Sequence, residues 1–298
     1  MGKVHYTECP VCKSKNIDPL LTVTDHSVSK ENFVIWQCAE CSLRFTQDVP
    51  DEASIGPYYK SPDYISHTNT SAGIINKVYQ KVRNYTLEQK AQLLKTSIGK
   101  QQGSLLDIGC GTGAFLKFMK DKGWLTQGIE PDYDARKIAE ELYQVKVEEP
   151  SALNNFSPRS FDAITLWHVL EHVHDLHGYL QKLHDLLKID GRLFIAVPNY
   201  KSLDESIYRL HWAAYDVPRH LYHFTPESLE TLMRKNGFQL VEKKPMWFDS
   251  FYISLLSSKY KNGKSNYLAS MINGLRSNSK AIFNNDKCSS LIYVIKKA

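Results

Sequence analysis

No stretch of the 298-residue chain approaches the ~18 uninterrupted apolar residues of a membrane-spanning helix, and Met1 to Leu20 lacks the apolar core of a secretory signal. Export and membrane insertion are not expected, and the expected compartment is the cytoplasm. A dense basic patch is also missing. The net charge of +5 is short of what a dedicated nucleic-acid binder usually carries. No internal repeat is found, which excludes a solenoid. Cysteine is sparse, with six residues, yet four of them form two Cys-x-x-Cys pairs, Cys9/Cys12 and Cys38/Cys41. In a chain without an export signal, metal is a better reading of those pairs than disulfides.

What is present is the composition of a globular protein, 42% hydrophobic and 23% charged, enough to build a core. Residues 1–48 read as short strands and turns, with a strand-like run from Phe33 to Trp36 between the cysteine pairs. So small a piece buries too little to fold alone, and four thiolates holding a tetrahedral structural Zn would supply the difference. This defines an expected zinc-ribbon module at 1–48. Residues 49–98 are expected to form a connector and helices. Its first part, 49–72, is rich in Pro, Tyr and Ser, and from Gly73 to Thr96 apolar residues recur at helical spacing, as in Val82, Leu87, Ala91 and Leu94.

From Ser104 the pattern alternates strand and helix, which predicts an α/β fold with a doubly wound, mainly parallel seven-stranded sheet. The expected strands are Leu105–Ile108, Thr126–Glu130, Gln144–Val147, Ala163–Trp167, Leu193–Val197, Phe238–Trp247 and Ser290–Ile295. One helix is expected over Asp175–Lys188, and another after Thr225, with Pro226 in its first turn. The domain spans 99–298, with cap insertions at 200–224 and 249–288.

The segment with chemical content is Leu105-Leu106-Asp107-Ile108-Gly109-Cys110-Gly111-Thr112-Gly113, a strand that ends in an acid and a Gly-x-Gly-x-Gly turn. Glycines let the backbone approach a ligand, and the following helix N-terminus favours negative charge. A dinucleotide site would place its third glycine one residue later. Glu130 closes the next strand, where a bidentate acceptor would stand beside the glycine turn.

Asp107 to Gly113 resembles motif I of the class I S-adenosylmethionine (SAM)-dependent methyltransferases, of the methyltransferase-23 and ubiquinone-methyltransferase type, and the similarity runs from about Ser104 to Lys244. The resemblance implies SAM as cofactor, with methionine over Gly109, Cys110, Gly111 and Gly113, and the ribose hydroxyls on Glu130. Pro131 and Ile129 are expected to flank adenine. Leu166-Trp167-His168-Val169-Leu170-Glu171-His172 resembles the Leu-Glu-His segment of ubiquinone-type relatives, which borders the methyl group. Leu166 and Trp167 then join the cofactor site. Some of those relatives bind a divalent ion here, with Glu where this chain has His168. The inverted zinc-protease reading of His168-x-x-Glu171-His172 is rejected, because the segment leaves a strand of a cofactor fold.

Methyl transfer needs an aligned nucleophile, and a base where the acceptor carries a proton. The expected candidates are His168, His220 and His223. Arg219 is read either as an anion-binding group or, with His220 and His223, as a structural tie. In the 249–288 insertion six Lys/Arg face Asp249 and Asp286, and apolar residues such as Leu268, Met271, Ile272 and Leu275 recur at helical spacing. A plain helical cover with solvated lysines is preferred there over a lid that touches a lipid-linked acceptor or a membrane surface.

N-terminal zinc modules of similar arrangement occur in sugar C-methyltransferases and in certain ribosomal RNA guanine methyltransferases. The expected function is transfer of a methyl group from SAM to O or C of a small-molecule or carrier-linked metabolite, of sugar or quinone type. Methylation of an rRNA or tRNA base through the ribbon is the alternative with a nucleic-acid partner. A non-catalytic SAM-binding interaction protein is the alternative outside enzymes.

Overall fold

A computed structural model describes residues 2–60 and 74–298, with backbone alone from 74 to 79. Most of the expected connector, 61–72, therefore lies outside the described residues, as do the side chains of Ile74 and Val78. The chain divides into two compact units: residues 1–65, 168–177 and 196–293 form the first, and 66–167, 178–195 and 294–298 the second.

The N-terminal strands are β1 (Lys3–Val4), β2 (Ile17–Thr24), β3 (Asn32–Cys38), β4 (Arg44–Thr46) and β5 (Val49–Pro50). Over Asn32–Ile35, β3 alternates between exposed and buried positions, the period-2 pattern of a half-buried strand. Next come α1 (Ile74–Ile98), β6 (Ser104–Ile108), α2 (Ala114–Asp121), β7 (Leu125–Ile129), α3 (Tyr133–Tyr143), β8 (Val147–Glu148) and β9 (Phe161–Trp167). They are followed by α4 (Leu176–Leu186), β10 (Leu187–Pro198), α5 (Leu203–Tyr208), β11 (Tyr222–His223), α6 (Pro226–Lys235), β12 (Phe238–Pro245), α7 (Asp249–Asn262), α8 (Tyr267–Phe283) and β13 (Ser290–Lys297).

The seven-stranded sheet has the order β12-β13-β10-β9-β6-β7-β8, and β6 pairs in parallel with β7 and β9, as β7 does with β8. The order reverses after β6 and β9, which in an open α/β sheet leaves a crevice at the carboxyl ends of those strands. In the second unit Ala91 and Leu94 of α1 pack with Phe115 and Met119 of α2 on Leu105, Ala163 and Phe194. Each fully buried side chain of this size contributes roughly 1.5–3 kcal/mol. One expected strand is shorter than predicted. Gln144 takes the left-handed conformation (φ 52°) that ends α3, so only Val147–Glu148 remains for β8.

In the first unit a second sheet has the order β11-β4-β3-β2. β11, from the expected cap insertion, pairs with β4 in the register Tyr222↔Phe45 and His223↔Arg44. Val23, Phe33 and Ile35 share a core with Trp212, Tyr215, Val217 and Ile253. The expected boundary at residue 48 therefore does not separate compact units. The N-terminal strands and the cap complete each other, because neither buries enough apolar surface alone. α6 starts as expected: Thr225 Oγ1 accepts from Ser228 N, Ser228 Oγ accepts from Thr225 N, and Pro226 occupies the first turn. The 249–288 insertion forms two helices, α7 and α8.

Candidate functional site

In the second unit β6 feeds straight into the glycine turn. Gly111 (φ 54°) has open space around an added Cβ, so its backbone angle alone requires glycine; at Gly113 (φ 79°) a Cβ would also lie 2.8 Å from Val145 Cγ2. The turn is stitched to the next strand, with Gly109 N and Cys110 N donating to Ile129 O at 2.7 and 3.2 Å. Gly111 N and Asp132 N donate to Glu130 Oε2 and Oε1 at 2.8 and 3.0 Å. Glu130 is thus oriented by the backbone of the turn itself, and each of its oxygens keeps a lone pair for a ligand. Burial raises its carboxyl above the usual range.

Asp107 is 1% exposed and accepts from Thr165 Oγ1 at 2.5 Å. Burial pushes its carboxyl up to about 7, while Thr165 and the positive charge of Lys90 pull the other way. Lys90 Nζ lies 4.1 Å from the centroid of the Trp167 ring, a cation–π contact that the sequence did not signal. Trp167 stacks edge-on with Phe115, and its Nε1 is buried without a hydrogen-bond partner. Other expected contacts differ in kind. Leu166 and Ile129 are core side chains at 0% and 1% exposure, leaving only their backbones for a ligand, while Pro131 is exposed. The Cys110 thiol packs with the Leu116–Ala139–Val145 cluster, and burial raises its pKa.

In the first unit His168 has a left-handed backbone (φ 58°), unusual for a non-glycine residue and common where function stores strain. Its Nε2 lies 2.9 Å from Asp249 Oδ2 and its Nδ1 3.4 Å from Glu171 Oε1. Burial works against its charge, but Asp249 and Glu171 outweigh it and hold the imidazolium with a pKa near 10. Both of its ring nitrogens thus face carboxylates, which favours the imidazolium. Asp249 escaped sequence reasoning because it lies 81 residues away, in the late insertion.

Glu171 is wholly buried, with His168 Nδ1 3.4 Å from its Oε1. His172 and His220 stand beside it, all three ligand atoms lying within 4.8 Å of one another. His172 Nδ1 lies 3.0 Å from Arg219 O and 3.1 Å from the Tyr59 hydroxyl, and His220 Nδ1 donates to Ala214 O at 2.8 Å. Burial, then the neighbouring His220, depress His172 to about 4. His223 is also neutral: it is buried, pushed well below the ordinary value, and tied to Thr46 Oγ1 at 3.1 Å. It ties β11 to β4. Arg219 is equally committed. It is 1% exposed and contacts Asp25 Oδ1 at 3.0 Å, Asp216 Oδ1 at 2.7 Å and Tyr58 O at 2.8 Å, which leaves no fork for an anion.

The cysteine pairs converge. Cys9, Cys12, Cys38 and Cys41 place their Sγ atoms within 4.8 Å of one another, and the Cys9–Cys41 and Cys12–Cys38 separations are 3.5 Å. A disulfide needs ~2.05 Å. Tetrahedral thiolates on Zn at ~2.3 Å would stand about 3.8 Å apart, close to what is seen. Lys13 N donates to Cys9 O and Ser42 N to Cys38 O, each from a left-handed residue directly after the second cysteine of its pair. Two matching knuckles result, and the donor set fits zinc.

A glycine elbow with its acid, a second acid orientated by the elbow, and a parallel sheet of this order are together the frame of one family, and the profile described as a methyltransferase domain matches residues 79–243. This chain belongs to that methyltransferase-domain family. The class I, SAM-dependent resemblance is thereby borne out. The chain is 28% identical over 181 residues to the mitochondrial ubiquinone biosynthesis O-methyltransferase of Rattus norvegicus, covering 53% of this chain and 52% of that protein. It is 35% identical over 106 residues to the ubiquinone biosynthesis O-methyltransferase of Glaesserella parasuis, covering 32% and 45%. The chain thus spans about half the length of the curated relatives it matches. Among solved structures, a putative sarcosine dimethylglycine methyltransferase from Galdieria sulphuraria aligns with a TM-score of 0.53 at 17% identity, covering 74% of this chain and 88% of that one, which shows the shared methyltransferase fold. Both the glycine turn and the His168–His172 segment fall inside the matched residues of the methyltransferase domain.

Proposed function

We propose that the chain is a SAM-dependent methyltransferase that transfers a methyl group to an oxygen or carbon atom of a small-molecule or carrier-linked metabolite. The observation that carries this reading is the state of Asp107 and Glu130: buried acids at the glycine elbow that form no ion pair within 4 Å among the described residues. A cationic ligand bearing hydroxyls suits that environment, and SAM has a sulfonium, an ammonium and a ribose diol. The unpaired Trp167 Nε1 offers one further donor.

Glu130 would hold the ribose hydroxyls and Asp107 would favour the positive end, so the residues' chief contribution is orientation. His220 stands beside Glu171 and His172. The same three residues form a donor set that fits the divalent ion suggested by quinone-type relatives, with His220 in place of the missing Glu at position 168. Such an ion would lower the pKa of an acceptor hydroxyl. The similarity to ubiquinone O-methyltransferases favours an oxygen acceptor on an aromatic ring. Calorimetric titration with SAM and its demethylated product should give micromolar binding, and Glu130→Ala should weaken it at least about tenfold. No heat from either nucleoside, with no effect of the substitution, would sink the proposal.

We further assign one structural zinc to Cys9, Cys12, Cys38 and Cys41. Elemental analysis of chelator-free protein should give one zinc per chain, and Cys38→Ser should abolish it. Four freely titrating thiols in metal-free native protein would refute the assignment.

A further inference from the structure

The helix pair α7–α8 has its polarity reversed. The buried positions of α8 are Ser270, Gly274, Ser277 and Ala281, and those of α7 are Ser250, Ile253, Ser254, Ser257 and Ser258. Small residues let the backbones approach: an added Cβ on Gly274 would lie 2.5 Å from the Phe251 ring. Ser270 Oγ closes the seam by donating to Ser254 O at 3.2 Å, and Ser277 Oγ ties α8 to α5 by donating to Asp204 Oδ1 at 2.7 Å. On the other side, α7 is anchored in the first unit's core by Ile253, Leu256 and Tyr260.

The apolar residues of α8 are turned away from this seam. Tyr267, Leu268, Met271, Ile272, Leu275 and Ile282 are all exposed, Leu268 by 72%, and Phe283 at the end is 91% exposed. At 100° per residue they fall on a single face of a helix ~25 Å long. A stripe of this size marks an interaction surface. Lys264, Arg276 and Lys280 are exposed beside it, and the segment 249–288 carries six Lys/Arg against two Asp.

We propose that α8 docks the protein onto an anionic lipid surface, lying in the plane of the interface. The apolar stripe would enter the boundary between headgroups and acyl chains, and the basic flank would pair with lipid phosphates. No helix among the described residues is long and apolar enough to cross a membrane, so the contact is peripheral. A second copy of the chain is a poorer occupant, since stripe-to-stripe contact would bring two like-charged flanks together. The inference is independent of the methyl-transfer reading, because its readout is binding to lipid.

The test is flotation of the full chain with vesicles of phosphatidylcholine alone and with about 30% phosphatidylglycerol. The expected result is at least tenfold stronger partitioning to the anionic vesicles, reduced by 0.5 M salt. Leu268→Glu with Leu275→Glu should abolish binding with an unchanged melting temperature, and Arg276→Glu with Lys280→Glu should remove the preference for phosphatidylglycerol. If the first pair fails to fold, Leu268→Ser alone should still reduce partitioning severalfold. Absence of binding to either vesicle overturns the proposal. So does binding indifferent to the α8 substitutions, or a concentration-dependent dimer that those substitutions dissociate.

Discussion

The buried acids of the glycine elbow are handled in the opposite way from those of the first unit, and from Asp162, which Lys100 and Lys188 hold down against its burial. In the first unit Asp25 is held down near 2 and Asp216 below its usual range, chiefly by the Arg219 guanidinium overcoming their burial. Glu171 is kept low by His168 and its other histidine neighbours. In the second unit Asp107 and Glu130 are pushed up by burial that nothing nearby compensates fully. The first arrangement neutralises itself and holds structure together. The second spends stability to keep a place for a cation, as binding sites often do.

The largest expected effect comes from breaking the compensated side. Arg219→Leu strands Asp25 and Asp216 in the core and should cost about 3–5 kcal/mol in chemical denaturation, partly recovered when Asp25→Asn is added. On the uncompensated side the sign reverses. Asp107→Asn should raise the stability of the ligand-free protein by about 2 kcal/mol at pH 8 while weakening SAM binding. A destabilised Asp107→Asn protein would refute the comparison.

The pH dependences are opposite for the same reason. Asp107 binds its proton more tightly folded than unfolded, so its contribution favours folding at low pH and is lost as pH rises from about 4 through about 7. Asp25 binds its proton less tightly folded, so its contribution is complete above about pH 4 and disappears as pH falls through about 2. Urea unfolding from pH 2 to 9 of wild type, Asp107→Asn and Asp25→Asn separates the two slopes. The smallest expected change is that of Lys90→Met. Removing that cation should move the Asp107 midpoint upward by about one unit or less, read by carbon NMR of the carboxyl.

The sheet and the glycine elbow were legible because their signals are local: an apolar strand, an acid, three glycines and a cap at Thr225 all lie within short windows. The cysteine pairs were legible for the same reason. Histidine roles were not, since each depends on a partner far along the chain: Asp249 for His168, Thr46 for His223, and the carbonyl of Arg219 for His172. Sequence spacing detected the apolar residues of α8 without saying which face is covered. Periodicity shows that residues share a face, and the Ser/Gly/Ala seam decides which face is covered.

The antiparallel pairing of β4 with β11 makes the cysteine-bearing ribbon a poor candidate for transplantation. A chain shortened to begin at residue 49 would leave Tyr222 and His223 as a naked sheet edge, remove the hydroxyl that fixes the His223 ring, and open a template for aggregation. Only an exchange that carries residues 2–50 together with their receiving strand would preserve both halves.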